Sequence, residues 1–300
     1  MPPWGRSLNM TALNSMIVDT VRSAFDFTVD PFPLSGPDGM RTPYYGLFRS
    51  DNFQVVGRVV TKSYIPHQGD DIIALVEAAS EAFEGVGNVR CYFKDGHYVS
   101  IQPTNEERRS IYGTEDNVVP RIVVRAGYDG KAFKASMGYY RDLCKNLAIM
   151  KMVSGTTVKI RHSSGLRSKM DQLIRTFSVL KNSWASLADV IGHLEQRTVN
   201  ISDFLTEIYG EPGTGKSLTR HRNRTQSILE RIYDERFRSG RPRIVNQEVS
   251  AWEAYNGVQG YVQWDATRKG SARLGEYGRA VAAFNDPAVA KAEELVMAMV

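Results

Sequence analysis

The chain has 300 residues, of which 42 % are hydrophobic and 24 % charged, a composition that excludes a disordered chain or a coiled-coil rod. Two cysteines exclude a disulfide framework or a four-thiolate zinc site. No apolar run approaches the roughly eighteen residues of a membrane span, so we expect a protein without a membrane segment, in the cytoplasm. The net charge of +5 is too small to identify a polyanionic partner.

The first 165 residues predict two helices and several antiparallel hairpins. Apolar residues recur at three- and four-residue spacing over 11–25, which predicts an amphipathic helix, and Pro66 begins a second one. The Gly/Pro-spaced segment 31–43 predicts a loop. Turn residues separate strand-like runs, which predicts hairpins that pair 44–49 with 53–60, 89–93 with 97–102 and 121–127 with 132–138.

From residue 166 the apolar spacing becomes helical, over 165–197, 201–209, 216–238, 249–265 and 286–299. The sequence therefore predicts an α+β fold, with antiparallel strands and hairpins, two early helices, and a mostly helical C-terminal half. We divide it into an α+β domain with an antiparallel sheet over 1–165 and a helical region over 166–300 that packs on it. One continuous domain is the alternative.

The excess positive charge lies in one part of the chain. Residues 117–243 hold 23 Lys and Arg against 11 Asp and Glu, whereas both flanking segments are net acidic. Aromatic residues are interleaved with the cations of 117–181, and cations with stacking rings suit single-stranded nucleic acid. The alternative is the solvated surface of an ordinary stable fold.

We predict that the nucleic-acid interface is built from this stretch, by Arg121, Arg125, Lys131, Lys134, Tyr139, Tyr140, Arg141, Lys145, Lys159, Arg161, His162, Arg167 and Lys169. Tyr128 and Phe133 are further candidates for stacking on bases. Since side chains alternate along a strand, Arg121 and Arg125 are expected on one exposed basic face, with Ile122 and Val124 in the core.

One segment, Gly210–Ser217 (GEPGTGKS), matches the phosphate-loop pattern GxxxxGK[ST]. In such an anion-binding loop, Gly213, Gly215, Lys216 and Ser217 would surround a phosphate. A phosphate loop follows a buried strand, but residues 200–209 predict a short helix. We therefore expect a loop between two helices, and a nucleotide-hydrolysing enzyme that uses this segment is the alternative.

The cations that follow this loop, over 216–243, permit two interpretations. They could form an anion-binding helix or a solvated face, and Glu230, Asp234 and Glu235 at intrahelical pairing distance favour the solvated face.

Elsewhere the five histidines have no metal-ligand spacing, and no HExxH, CxxC or GxSxG motif occurs. We expect no metal, no cofactor and no enzymatic activity.

Several segments occur in a recognisable order: VVGRVVTKSYIPHQ (55–68), AGYDG (126–130), YYRDLCKN (139–146), KIRHSSG (159–165) and SAWEAYNGVQGYVQWDATRKG (250–270). In these segments the chain resembles the phage/plasmid-like protein family classified as domain of unknown function 932, over about residues 45–270. Tyr128 stands where that family has a histidine. The positions that match its motifs are Tyr64, Pro66, Gln68, Asp129, Gly130, Arg141, Cys144, Asn146, His162, Trp252, Ala254, Tyr255, Asn256, Val258 and Tyr261.

The resemblance implies a bacteriophage or other mobile-element origin and work on DNA, since similar proteins are encoded near single-strand binding proteins, nucleases and recombination genes. We predict a non-enzymatic protein of the bacterial host cytoplasm that binds single-stranded DNA non-specifically and assists recombination by strand annealing, replication or transcription. Its partners would be DNA, further copies in a homo-oligomer, and phage replication, recombination or transcription proteins. An adaptor whose acidic N-terminal region recruits a polymerase or host factor is the alternative.

Overall fold

A computed structural model describes residues 10–93, 96–104, 107–128, 133–160, 166–242, 244, 247–266 and 275–300. The side chains of 10–14, 160, 166–176 and 277 lie outside this description. The chain divides into two compact units. Unit 1 comprises 1–106, 121–137 and 157–181, and unit 2 comprises 107–120, 138–156 and 182–300. The predicted domains 1–165 and 166–300 stay a prediction.

The described residues form helices and strands that confirm the predicted α+β class. The helices are α1 Met10–Ala24, α2 Gly69–Ala82, α3 Leu166–Gln196, α4 Ile201–Tyr209, α5 Lys216–Arg238, α6 Ala251–Gly260, α7 Glu276–Ala283 and α8 Pro287–Met297, with a π-helical turn at Tyr261–Asp265. The strands are β1 Val29–Ser35, β2 Arg41–Arg49, β3 Val55–Thr61, β4 Val86–Phe93, β5 Gly96–Pro103, β6 Arg109–Ser110, β7 Asn117–Gly127, β8 Phe133–Arg141, β9 Leu147–Ala148, β10 Thr157–Ile160, β11 Thr198–Asn200 and β12 Glu248–Ser250.

The hairpins predicted in the N-terminal half are present in unit 1. Strand β2 pairs antiparallel with β3, and β4 pairs antiparallel with β5. The loop predicted over 31–43 is wrong at both ends, because 31–35 belong to β1 and 41–43 to β2, which pair with each other. Its two prolines, Pro31 and Pro33, cannot donate backbone hydrogen bonds, but β1 lies at the edge of the sheet, where proline is tolerated.

The exposed basic face predicted for β7 is also wrong. In the sheet β7 lies between β5 and β8, and its residues 122–124 are all buried. Arg121 is only 7 % exposed and donates a hydrogen bond to Gln102. Alternation predicts an exposed face only when one side of a sheet meets water, and β7 is covered on both sides.

Unit 2 is built around α6, whose ten residues are all buried. Ser250 and Glu253 form a capping box at its start, as the pattern S-x-x-E favours. Gly257 and Gly260 allow α5 to approach closely, because a Cβ at Gly257 would lie 2.8 Å from Ile232 Cδ1. Helices α3, α4, α5 and α8 confirm the helical predictions, and the helix predicted over 249–265 is α6 followed by the π-helical turn. The short α7 was not predicted.

Gly57 in β3 provides a test of the packing in unit 1. Its φ is +68°, and an added Cβ would lie 2.1 Å from the backbone oxygen of Tyr128. We expect Gly57→Ala to reduce the free energy of unfolding by at least about 3 kcal/mol, since strain and a backbone clash add. Urea unfolding followed by circular dichroism measures this.

Gly39 is the matched control in the same unit. Its φ is +73°, and nothing lies within 4 Å of an added Cβ. Gly39→Ala should therefore cost only the conformational strain, about 1 kcal/mol. Equal losses for the two variants would contradict the close approach of β3 to Tyr128.

Candidate nucleic-acid interface

The motif residues around 64–68 and Tyr128 lie in the interior of unit 1, beside two buried histidines. His67 Nε2 and His97 Nδ1 are 2.9 Å apart and share a hydrogen bond. The Tyr128 ring stacks on His67 at 4.3 Å, and its hydroxyl donates to the His67 carbonyl at 2.7 Å. Gln68 accepts from the backbone nitrogen of Val29 and donates to its oxygen. These motif residues therefore hold α2, β1 and β7 together.

His97 is a neutral side chain at physiological pH. Burial, reinforced by the nearby Arg49 guanidinium, lowers its pKa to about 3. The Phe25 and His97 ring centroids are 4.4 Å apart with the rings nearly perpendicular, and the Phe27 ring stacks almost parallel to His97. A protonated imidazole in this apolar site would be poorly solvated, so the folded state excludes the charged form.

This histidine predicts a dependence of stability on pH. In the unfolded chain it titrates near 6.5 and in the folded chain near 3, so between these values the unfolded chain binds more protons. The contribution of the neutral His97 to the free energy of unfolding is fully present above pH 6.5 and is lost as the pH falls towards 3. Between pH 7 and pH 5 the loss is about 2 kcal/mol. Urea unfolding of the wild type and of His97→Asn at both values measures it. An identical slope in the variant would contradict the assignment.

The second group of motif residues lies in unit 2, around the buried Arg141. This side chain is 3 % exposed and donates from Nε and Nη2 to Asp116 Oδ2, at 2.8 and 2.5 Å. Its Nη1 donates to Glu235 of α5. Burial opposes the charge, but Glu235 and Asp116 outweigh it and hold the pKa of Arg141 above its usual value. Arg141 thus links β8, the segment before β7, and α5.

Polar side chains join the segment after β8 to α6 and the π-helical turn. Asn146 donates to the backbone oxygen of Asn256 at 3.3 Å and accepts from the indole of Trp264 at 3.0 Å. Tyr139 donates to the Asn256 side chain at 3.1 Å. Gln263 accepts from the Leu147 backbone nitrogen at 3.2 Å. The matching residues of two family motifs therefore stabilise each other in the interior of unit 2.

Removal of the buried cation should be far more damaging than removal of an exposed one. Arg141→Met leaves Asp116 and Glu235 buried without a counter-charge, which should cost about 3–5 kcal/mol of unfolding free energy. Arg108→Met, which breaks an exposed pair with Asp142 at 3.2 Å, should cost less than about 1 kcal/mol. Urea unfolding compares the two variants, and similar losses would contradict the central role of Arg141.

The structure does not bring the predicted interface residues onto one exposed surface in the part of the chain that it describes. Arg121, Tyr139 and Arg141 are buried, as are Tyr128 and Phe133. Arg125, Lys134 and Tyr140 are half-buried, and only Lys145 and Lys159 are exposed. The side chains of Arg167 and Lys169 in α3, and the whole of Lys131, Arg161 and His162, lie outside the described residues. A buried side chain is not placed to contact a phosphate or a base, so Arg121, Tyr139 and Arg141 are poor candidates for such contacts; for the others the interface stays a prediction.

The phosphate-loop segment Gly210–Ser217 connects α4 to α5, as predicted. Its residues are exposed, with positive φ at Gly210 and Gly215. The Ser217 backbone nitrogen donates to Thr214 at 3.2 Å, so the loop uses this amide internally. In phosphate-loop enzymes the loop follows a strand of a parallel sheet. Here a helix precedes the loop, and the strand pairs whose register is described are all antiparallel.

Helix α5 begins with a cluster of exposed cations. Lys216, Arg220 and Arg222 are exposed, and none of them forms an ion pair with a described residue. No acidic residue occurs between Glu211 and Glu230. We call these three residues the α5 basic face. The sequence left open whether this helix binds anions or is a solvated face, and the signal for anion binding is the absence of acids from the first half of the helix.

The other end of α5 exposes two aromatic rings. Phe237 is 83 % exposed and Tyr233 43 %. One helical turn apart, they line a pocket of about 590 Å³ with Arg241 and Ile244. From Lys216 to Phe237 the helix rises about 32 Å, at 1.5 Å per residue. One helix of unit 2 thus carries unpaired cations at one end and exposed rings at the other.

Comparison with known families matches residues 57–293 to the family described as Domain of unknown function (DUF932). The chain belongs to this family. No curated protein and no solved structure matches it.

Among the described residues, no three His, Cys, Asp or Glu side chains are grouped as metal ligands. None of the described helices has both the length and the apolar character needed to cross a bilayer.

Proposed function

We propose that this protein binds single-stranded DNA, without catalysing a reaction, and that α5 carries the interface. The supporting observation is the α5 basic face, whose three cations are exposed and form no ion pair with a described residue. A cation already paired with a carboxylate must break that pair before it binds a phosphate. Lys216, Arg220 and Arg222 have no such cost.

The two ends of α5 supply the two contacts that single-stranded nucleic acid needs. Cations neutralise phosphates and release counterions, and exposed rings stack on bases. Phe237 and Tyr233 would supply the rings. Every nucleotide has a phosphate and every base has a π-face, so this binding would be non-specific in sequence.

We further propose that the protein serves a bacteriophage or another mobile element in the bacterial cytoplasm, in recombination by strand annealing, in replication or in transcription. Annealing requires many bases to be held along a shared groove, which a homo-oligomer of this chain would provide. The resemblance to phage/plasmid-like proteins supports this role. Partner proteins of the same process would then act on the same strand.

The α5 basic face predicts a specific change in salt dependence. The wild type should bind a labelled thirty-nucleotide strand, with affinity falling as salt rises. Combined Lys216→Ala, Arg220→Ala and Arg222→Ala should weaken binding at low salt by at least tenfold. It should also reduce the slope of log affinity against log salt by about 2, because each phosphate that a cation neutralises adds about 0.7 to that slope. Fluorescence anisotropy at several salt concentrations measures both.

A variant with the same change of charge elsewhere is the control. Arg41, Arg58 and Lys62 are exposed cations of unit 1, and their combined replacement by Ala should leave most of the affinity and slope unchanged. Equal losses in the two triple variants would indicate a general charge effect and contradict the assignment to α5. Absence of binding by the wild type at low salt and micromolar protein would refute the proposed function.

A further inference from the structure

A groove lies between α1 and α2 in unit 1. The two helices pack against each other, and both line the groove, α1 with residues from 15–22 and α2 with residues from 76–81. Residues 84–86, which follow α2, also line it. Its volume is about 780 Å³. The groove therefore belongs to one unit and shares no residue with the α5 basic face.

The floor of the groove is apolar. Ile17 of α1, Val76 of α2 and Val86 of β4 line it and are buried, and Val18 is half-buried. Among the described residues, no buried polar side-chain atom that lacks a hydrogen bond lines the groove. Small-molecule sites orient their ligands through a few polar groups placed in the interior. The polar groups of this groove lie at its rim instead, which favours a larger, amphipathic partner.

The rim of the groove is acidic. The charged residues that line it are four carboxylates and one guanidinium, Asp19, Glu77, Glu81, Glu84 and Arg22. Glu77 and Glu81 are exposed, and neither forms an ion pair with a described residue. They are four residues apart on α2, so they lie one turn apart on the same side of the helix, where like charges repel and destabilise it. Cations of a partner would relieve this repulsion.

An apolar centre within a charged rim is the usual anatomy of a protein–protein interface, and the charge of the rim selects partners of the opposite sign. A helix that lies in a groove inserts side chains at positions i, i+3, i+4 and i+7. We propose that the α1–α2 groove binds a basic amphipathic helix of another protein. Its aliphatic side chains contact Ile17, Val18 and Val76, and its Lys or Arg side chains pair with Glu77 and Glu81.

The partner is another protein rather than α5 of a second copy. Helix α5 carries the exposed cations of unit 2, but its isoleucines, Ile228 and Ile232, are buried within that unit. It therefore offers no aliphatic face that matches the floor of the groove. This inference goes beyond nucleic-acid binding, because it gives the acidic N-terminal part of the chain a site that recruits a partner while α5 holds the strand.

Titration with designed peptides tests the groove. The probe is a labelled fourteen-residue peptide of Leu and Lys in which Leu recurs at three- and four-residue spacing, so that a helix has one apolar face. An isomer of the same composition has its Leu residues spread around the helix. Fluorescence anisotropy at physiological salt should show at least tenfold tighter binding of the first peptide, since the isomer keeps the charge and loses the apolar face. A peptide with Glu in place of Lys should not bind.

Two double variants locate the site. Combined Glu77→Gln and Glu81→Gln should weaken binding of the amphipathic Leu/Lys peptide by at least tenfold. Asp203→Asn with Glu207→Gln makes the same change of charge in α4, at two exposed carboxylates that are also one turn apart, and should leave the affinity unchanged. The triple variant that lacks the α5 basic face should bind the peptide as the wild type does, so failure of strand binding and failure of peptide binding are separate results.

Equal affinities of the wild type for the two isomers would reduce the interaction to charge alone and overturn the proposal. Equal losses in the two double variants, or no binding of the amphipathic peptide to the wild type, would also overturn it. Sedimentation velocity without peptide tests a second copy as the occupant. Self-association of the wild type that is lost in the Glu77→Gln, Glu81→Gln variant would assign the groove to a second copy and overturn its assignment to another protein.

Discussion

The ion pairs of Arg141 are the constraint on which unit 2 depends. A buried guanidinium is tolerated only when carboxylates compensate for its lost hydration, and Asp116 and Glu235 do so from two different segments. Because Glu235 belongs to α5, these ion pairs also fix which side of α5 faces the interior. Ile228 and Ile232 are buried beside it on the same helix. The α5 basic face is left on the solvent side, together with Phe237.

The predictable parts of the fold were those encoded by local spacing. Helices α1 to α5 follow three- and four-residue apolar spacing, and the β2–β3 and β4–β5 hairpins follow turn residues. What failed depended on neighbours distant in sequence. Pro31 and Pro33 indicate a loop unless the strand that contains them is known to lie at the edge of a sheet. The alternation in β7 indicates an exposed face unless both faces of its sheet are known to be covered.

The proposed interface on α5 lies within the basic stretch 117–243, but of the residues predicted from the sequence it shares only Lys216. Composition located the cations within 117–243 and could not say which of them were already paired. In α5 the spacing predicted intrahelical pairs, and Asp234 does pair with Arg238 in this way, but Glu235 pairs with the distant Arg141. The first half of the helix is therefore left without compensation. Many of the matching motif residues lie in the two interior networks, so the family resemblance concerns the fold more than the interface.

Photo-crosslinking tests most directly the claim that α5, and not the sheet, contacts nucleic acid. The protein would be irradiated together with a thirty-nucleotide strand that carries 5-iodouracil. The protein would then be digested, and the crosslinked peptides identified by mass spectrometry. The proposed interface predicts crosslinks at Tyr233 and Phe237, which are exposed on α5. Crosslinks concentrated at Tyr139 and Tyr140 of β8, with none on α5, would contradict it.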